Sequence, residues 1–202
     1  MSSKVRLSTR SALVLSFLML AMLAASCGKK ESAEEETTEA KQPATAEPAP
    51  AHALTDANIA AIVMAANKMD TENAKMALGK TTNAAVKAFA GQMVTDHASV
   101  DKQVTDLATK LSLKPEENDT SHQLEERADD TREKIEESKG AAFDRAYIDS
   151  EVAYHQTVLD MLDQTLIPGA TNAELKSLLE SVRPTFEAHL DHAKHVQASL
   201  PS

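Results

Sequence analysis

From about residue 55 onward, apolar residues recur in alternating steps of three and four, the spacing of helices that bury one stripe. Gly79, Pro115, Gly140 and the pair Pro168 and Gly169 interrupt the pattern. They divide it into five predicted helices at 55–78, 82–113, 118–139, 142–166 and 172–200. No alternating β-branched run is present, so no strand is expected. Thr81 or Thr82, Asp119 and Thr171 are the predicted N-caps, since each offers an oxygen to an unpaired helix-start amide. Short connections make neighbouring helices antiparallel, so the expected fold is an all-α, up-and-down antiparallel helical bundle over 54–202.

The apolar seams say which side chains face inward. The first helix offers Ile59, Ile62, Ala66, Met69, Asn73 and Met76, and the second offers Val86, Ala90, Met93, His97, Val100, Val104, Leu107 and Leu111. Ile148, Val152, His155, Leu159, Leu162 and Leu166 make the fourth seam; Leu175, Leu179, Val182, Phe186, His189, Ala193, Val196 and Leu200 make the last. The third segment has only Leu124, Ala128 and Ile135 against a wall of charge, and is expected to be short, loosely docked or frayed. A thin third helix could leave an apolar patch for a protein partner.

The region before the helices is different. Lys4, Arg6 and Arg10 precede an uncharged apolar run at 12–25, too short to span a bilayer and followed by Ser26 and Cys27. This reads as a secretory signal over 1–26. The segment LAASC resembles a bacterial lipobox, which implies a lipid on Cys27, the only cysteine, and a membrane as partner. Residues 27–53, with Pro43, Pro48, Pro50 and an acidic run from Glu34 to Glu39, read as a disordered linker. The expected location is the cell envelope, lipid-anchored, with Gly28 resembling lipoproteins of the outer membrane that face the periplasm or the surface.

Charge and composition remove whole classes of function. The formal charge is −10, there is no Trp and there are only five Gly, so nucleic acid is not an expected partner and no phosphate cradle is evident. A lone cysteine excludes an internal disulfide and clustered-thiolate zinc. No Ser/His/Asp constellation stands out, and no enzymatic activity is predicted.

His97, His155 and His189 occupy inward positions on three different helices. A buried imidazole needs a hydrogen bond, a carboxylate or a metal. In one reading they are satisfied parts of a non-catalytic structural or binding module, with His155 donating to the Glu180 carbonyl that Pro184 frees inside the last helix. In another they hold a transition metal, iron, zinc or copper, with Glu151 as the carboxylate level with His189. Asp96, Asp144, Tyr147 and Glu72 are then supporting candidates, and a proton-handling or ligand pocket is the third possibility. The Glu-x-x-His pattern of carboxylate-bridged di-iron bundles is missing. Asp191, His192, His195, His122 and His52 read as surface or linker, the five methionines of the helices as core filling, and the charge run from Glu125 to Lys134 as a solvated face.

Three stretches carry a resemblance: VKAFAGQMVTDH at 86–97, FDRAYIDSEVAYH at 143–155 and NAELKSLLESVRPTFEAHLDHA at 172–193. In this order they resemble the bacterial domain of unknown function 4142. The resemblance implies a ferritin-like bundle on an exported protein. It also carries the family's histidines onto His97, His155 and His189, and a Phe-Asp-x-x-Tyr element onto Phe143, Asp144 and Tyr147. The family's first-helix element appears as NKMDTE, ending at Glu72 without its usual glycine. No reaction comes with the resemblance.

Overall fold

A computed structural model describes residues 54–201. The predicted export segment, Cys27, the linker and His52 lie outside the described residues. The described chain is helical: α1 (Asp56–Lys80), α2 (Ala84–Lys110), α3 (Asp119–Glu136), α4 (Ala141–Met161) and α6 (Ala173–Ser199). A wide π turn (Leu162–Leu166) and one further turn, α5 (Ile167–Gly169), extend α4. No strand occurs among the described residues, and none of their helices is long and apolar enough to cross a membrane.

Caps fall one or two residues from the predicted positions, and in each case the capping residue is asparagine. Asn83 accepts from Ala85 and Val86 amides, Asn118 from Thr120 and Ser121, and Asn172 from Glu174 and Leu175. The threonines expected there do other work. Thr81 Oγ1 donates to Asp144, and Thr171 donates through both its amide and its hydroxyl to Asp56 at the start of α1. Gly140 starts α4 at φ +57°, a conformation that costs a residue with a Cβ.

Cross-helix contacts fix the topology. Asn67 meets His97, equally far either side of the α1–α2 turn, so these helices are antiparallel. Asp96 meets His189 while Lys110 meets Glu174, which runs α6 against α2. Arg145 meets Gln197 while Asp163 meets Arg183, which runs α6 against α4. Asn58 pairs with Asn118 and Lys80 with the Glu136 carbonyl, so α3 is parallel to α1. The arrangement is the predicted up-and-down bundle.

The third helix departs from expectation. It is continuous over 18 residues, begins with a capping box between Asn118 and Ser121, and buries Ser121, Leu124, Ala128 and Ile135. Arg132 pins it to α1 through Glu72 at 2.9 Å and Asn73 at 3.2 Å. One arginine from the charge run therefore works as a clasp, and the few apolar residues suffice because they share one face.

Two apolar clusters fill the bundle. One gathers Ile59, Ile62, Val104, Leu159 and Leu179; the other gathers Phe89, Met93, Phe143, Ile148 and Val196. The buried polar residues Asn67, Asp70, His97, Glu151, His155 and His189 belong to neither and occupy sequence positions where the two meet. Burying so many polar groups in mid-bundle costs stability unless each is partnered.

Candidate metal centre

Three helices each bring one imidazole inward. His97, His155 and His189 are about 1%, 0% and 1% exposed, and their ring centres form a near-equilateral triangle of 5.7, 5.3 and 5.3 Å. Three imidazoles holding one ion tetrahedrally through bonds of about 2.1 Å would place their ring centres roughly 5 Å apart. Phe186 packs against all three rings, 5.2 Å from His97, and Phe89 stands 6.5 Å from His155, so water is kept out.

Each ring has one nitrogen committed to an oxygen. Asn67 donates to the Val63 carbonyl, which turns its own Oδ1 to accept from His97 Nδ1 at 2.9 Å. His155 Nδ1 donates to the Glu151 carbonyl at 2.9 Å, and His189 Nε2 donates to Asp96 Oδ2 at 2.9 Å. These bonds put the proton on the named nitrogen and leave a lone pair on the other. The remaining atoms, His97 Nε2, His155 Nε2 and His189 Nδ1, are buried without a hydrogen-bond partner.

A carboxylate that the sequence reading did not select lies among them. Asp70 Oδ2 is 3.3 Å from His97 Nε2 and 3.6 Å from His155 Nε2, and both Asp70 oxygens lack a hydrogen-bond partner. Glu151 Oε2 is 3.5 Å from His155 Nδ1 and is likewise unpartnered. Donor atoms of the three histidines lie within 4.8 Å of one another, as do those of Asp70, Glu151 and His155. His155 therefore links an imidazole triad to a carboxylate pair.

The electrostatics favour neutral groups in the metal-free site. Burial lifts the Asp70 carboxyl to about 7; burial, then the Asp70 charge, raises Glu151 as well. Burial drives His155 down to about 4; burial, then the charges of His155 and His189, holds His97 well below its ordinary value, and His189 also falls through burial. Although Asp70 stands at ion-pair distance from two histidines, neither side gains by ionising alone in this dry setting. Tyr147, fully buried with its hydroxyl unpartnered, is pushed up by burial and by the Glu151 and Asp70 charges.

A family model for a domain of unknown function (DUF4142) matches residues 39–196. The chain belongs to that family. No curated protein matches the chain, and no solved structure does either. The match begins inside the stretch read as a linker, 16 residues before the predicted start of the first helix.

In this DUF4142 chain the expected residues divide. His97, His155 and His189 meet, as their seam positions predict. Glu151 joins the cluster next to His155, on its own helix, whereas His189 takes Asp96 as its partner in place of the expected Glu151. Tyr147 is adjacent to Glu151; Asp144 is apart, held by Thr81 at the end of α1. Glu72 is turned outward to Arg132. His155 does not use the backbone opened by Pro184, because the Glu151 carbonyl one turn earlier on α4 already accepts its proton. His192 is bonded to Gln92 and partly exposed, and His122 is exposed.

Asp70 escaped notice for a specific reason. The α1 seam was drawn through the bulky residues Met69, Asn73 and Met76, but the face that continues inward is Val63, Asn67, Asp70, Ala74 and Ala77. Steps of four, three, four and three join these residues, and that unbroken spacing is the signal that could have found Asp70. Asn73 and Met76 are only half-buried.

Proposed function

We propose that this protein is an exported, lipid-anchored envelope protein whose bundle holds one divalent transition-metal ion between His97, His155, His189 and Asp70, with Glu151 beside it. One observation carries this reading. Three imidazoles from three helices each spend one N–H on an oxygen; the free nitrogens of His97 and His155 face the Asp70 carboxyl at 3.3 and 3.6 Å, and His189 Nδ1 is buried without a partner beside them. More buried acceptors meet here than the protons of Asp70 and Glu151 can serve, and one cation would satisfy them together. In a purely structural core each unsatisfied buried acceptor would cost about 1–3 kcal/mol, and protons on Asp70 and Glu151 would satisfy only part of the set. The outer bonds from Asn67, the Glu151 carbonyl and Asp96 are those that orient metal-binding histidines and fix their tautomers.

Three nitrogens and one or two carboxylate oxygens suit zinc, iron or copper(II). The envelope location is supported by the cationic start, the short apolar run and Cys27 at the lipobox position. There the ion serves a module that stands off the membrane on its acidic linker.

Elemental analysis tests the reading. The chain expressed from its full sequence and isolated without a histidine tag should carry about one equivalent of transition metal, and His155→Ala should carry none. A wild-type protein that takes up no stoichiometric zinc, iron or copper, even after reconstitution, would refute it.

The pH dependence follows from the same groups. His155 stays neutral down to about 4, so between pH 5 and 7 it need lose no proton to bind metal, and burial lowers His97 and His189 in the same direction. Asp70 must lose one below about 7, and Glu151 is raised in the same direction. Affinity should therefore climb with pH by roughly tenfold per unit per displaced proton, and the Asp70 share of that rise should end at about pH 7. Proton release measured by titrating metal into weakly buffered protein checks this; a midpoint near 6.5 with no release above it would place the protons on imidazole instead.

A further inference from the structure

The cluster is dry, yet one of its members touches the outside. A cleft of about 340 Å³ opens between α1, α3 and α4, and Glu151 lies in its lining. The Glu151 side chain is only 3% exposed, with Oε2 buried and unpartnered. A water occupies about 30 Å³ in the liquid, so this space has room for about ten. Tyr154 forms another wall and is fixed there by donating to the Ala66 carbonyl at 2.8 Å. Of the described clefts, only this one is lined by a residue of the centre itself.

Its charge is also distinctive. The protein is strongly acidic, but the rim of this cleft carries Arg127 and Lys134 against Asp130, and neither cation is in an ion pair among the described residues. A cleft of similar size on the other side of α1 has Lys68 against Asp101, Glu117 and Glu125. The first cleft sets two cations against Asp130 at its mouth and Glu151 deeper in, whereas the second sets one cation against three acids, so a small anion is repelled less at the first.

A structural metal site uses every coordination position for the protein, whereas a reactive site leaves one open. Three imidazoles and Asp70 supply four donors. Iron takes a larger shell than four, and zinc sometimes expands to five-coordination. The side on which a further ligand could arrive is the side where Glu151 separates the donors from the cleft.

We propose that the cleft between α1, α3 and α4 is the entrance by which a small anion reaches an open coordination position beside Glu151, which makes the centre a reactive rather than a purely structural metal site. This rests on the reading of the centre as a metal site. Glu151 lines the path between the cleft and the cluster, and Tyr154 and the α3 face limit the ligand to a few heavy atoms. Larger molecules meet the closed surface of the bundle.

Cobalt(II) and azide provide the test. Full-length protein loaded with cobalt should show visible bands that change and saturate on adding azide. Ala153→Trp, at an exposed position of α4 in the cleft wall, should bind cobalt as wild type does and lose the azide response. Lys134→Glu should bind cobalt normally and weaken azide roughly three- to tenfold, the effect of reversing one exposed charge near the entrance. Cobalt bound stoichiometrically with a spectrum indifferent to azide, or an azide response unchanged in both variants, would overturn the entrance and leave the metal reading intact. Failure to bind cobalt, zinc or iron at all would instead remove the metal reading and this inference with it.

Discussion

Asp70→Asn should abolish metal binding and at the same time make the metal-free protein more stable. The two effects have one origin. The Asp70 carboxyl is fully buried, both its oxygens lack partners, and Oδ2 lies 3.3 and 3.6 Å from two acceptor nitrogens. An asparagine of the same shape places an amide there, whose two hydrogens can be donated to His97 Nε2 and His155 Nε2. Satisfying buried acceptors at that point should stabilise the apo fold by about 1–3 kcal/mol. The substitution also takes away the carboxylate that faces the free nitrogens of His97 and His155 and blocks those two lone pairs. Altering a group that merely orients a metal ligand typically costs about 10–100-fold in affinity, so loss of a ligand carboxylate should cost at least about 100-fold. Chemical denaturation of the apo proteins and a competitive chelator titration measure the two quantities separately. A variant that is destabilised without metal, or that binds metal as tightly as wild type, contradicts the assignment of Asp70.

The opposed signs separate a functional site from a structural one. If selection had kept this polar cluster for stability, a neutral hydrogen-bonding replacement at its most strained member should not improve the fold. A site built to receive a cation is frustrated when empty, and small stabilising changes are then available at the expense of function.

The sequence shows the fold and the imidazole triad because both rest on periodicity. His97, His155 and His189 stand where a three-and-four pattern demands an inward side chain, and rigid rods carry that register faithfully into space. The carboxylate pair was only half visible. Glu151 could be placed by counting from the Pro168–Gly169 break, which aligned α4 with α6, but its partnership with His155 follows from their shared helix and is a matter of side-chain reach. Asp70 is hidden in the sequence because the bulky residues of α1, Met69 and Met76, mark a different stripe from the one that carries it. That helix packs through Ala66, Ala74 and Ala77, whose small volumes let α1 come close to its neighbours, and a polar face of low bulk looks like an exposed one. The docking of α3 was hidden for a related reason: its attachment depends on Arg132 reaching Glu72 and Asn73 across the helix pair, and no pattern within α3 announces that contact.

Removing the metal should lower the melting temperature by about 8–16 °C. Metal at about a thousandfold its dissociation constant stabilises the folded form by about 4 kcal/mol. In a domain near 150 residues each kcal/mol corresponds to roughly 2–4 °C. The gap should widen with pH. Without metal, Asp70 carries a folded-state value raised from 3.8 to about 7, so the folded chain binds a proton that the unfolded chain has lost over that interval. The apo protein therefore loses that contribution as pH rises from about 4 to about 7. His155 acts in the opposite sense: its value falls from 6.5 to about 4, so acidification below 6.5 destabilises the apo fold until about pH 4. Well above pH 6.5 His155 is neutral in both the folded and the unfolded chain, and the buried carboxylates govern the change. There the ion replaces the missing proton and supplies charge to Asp70 and Glu151 that nothing else in the core provides. Melting curves with and without chelator at pH 5.5 and 7.5 decide the matter, with the larger separation expected at 7.5. Equal curves at both pH values would mean that no ion occupies the triad, and a larger separation at 5.5 would mean that the carboxylates are not among its ligands.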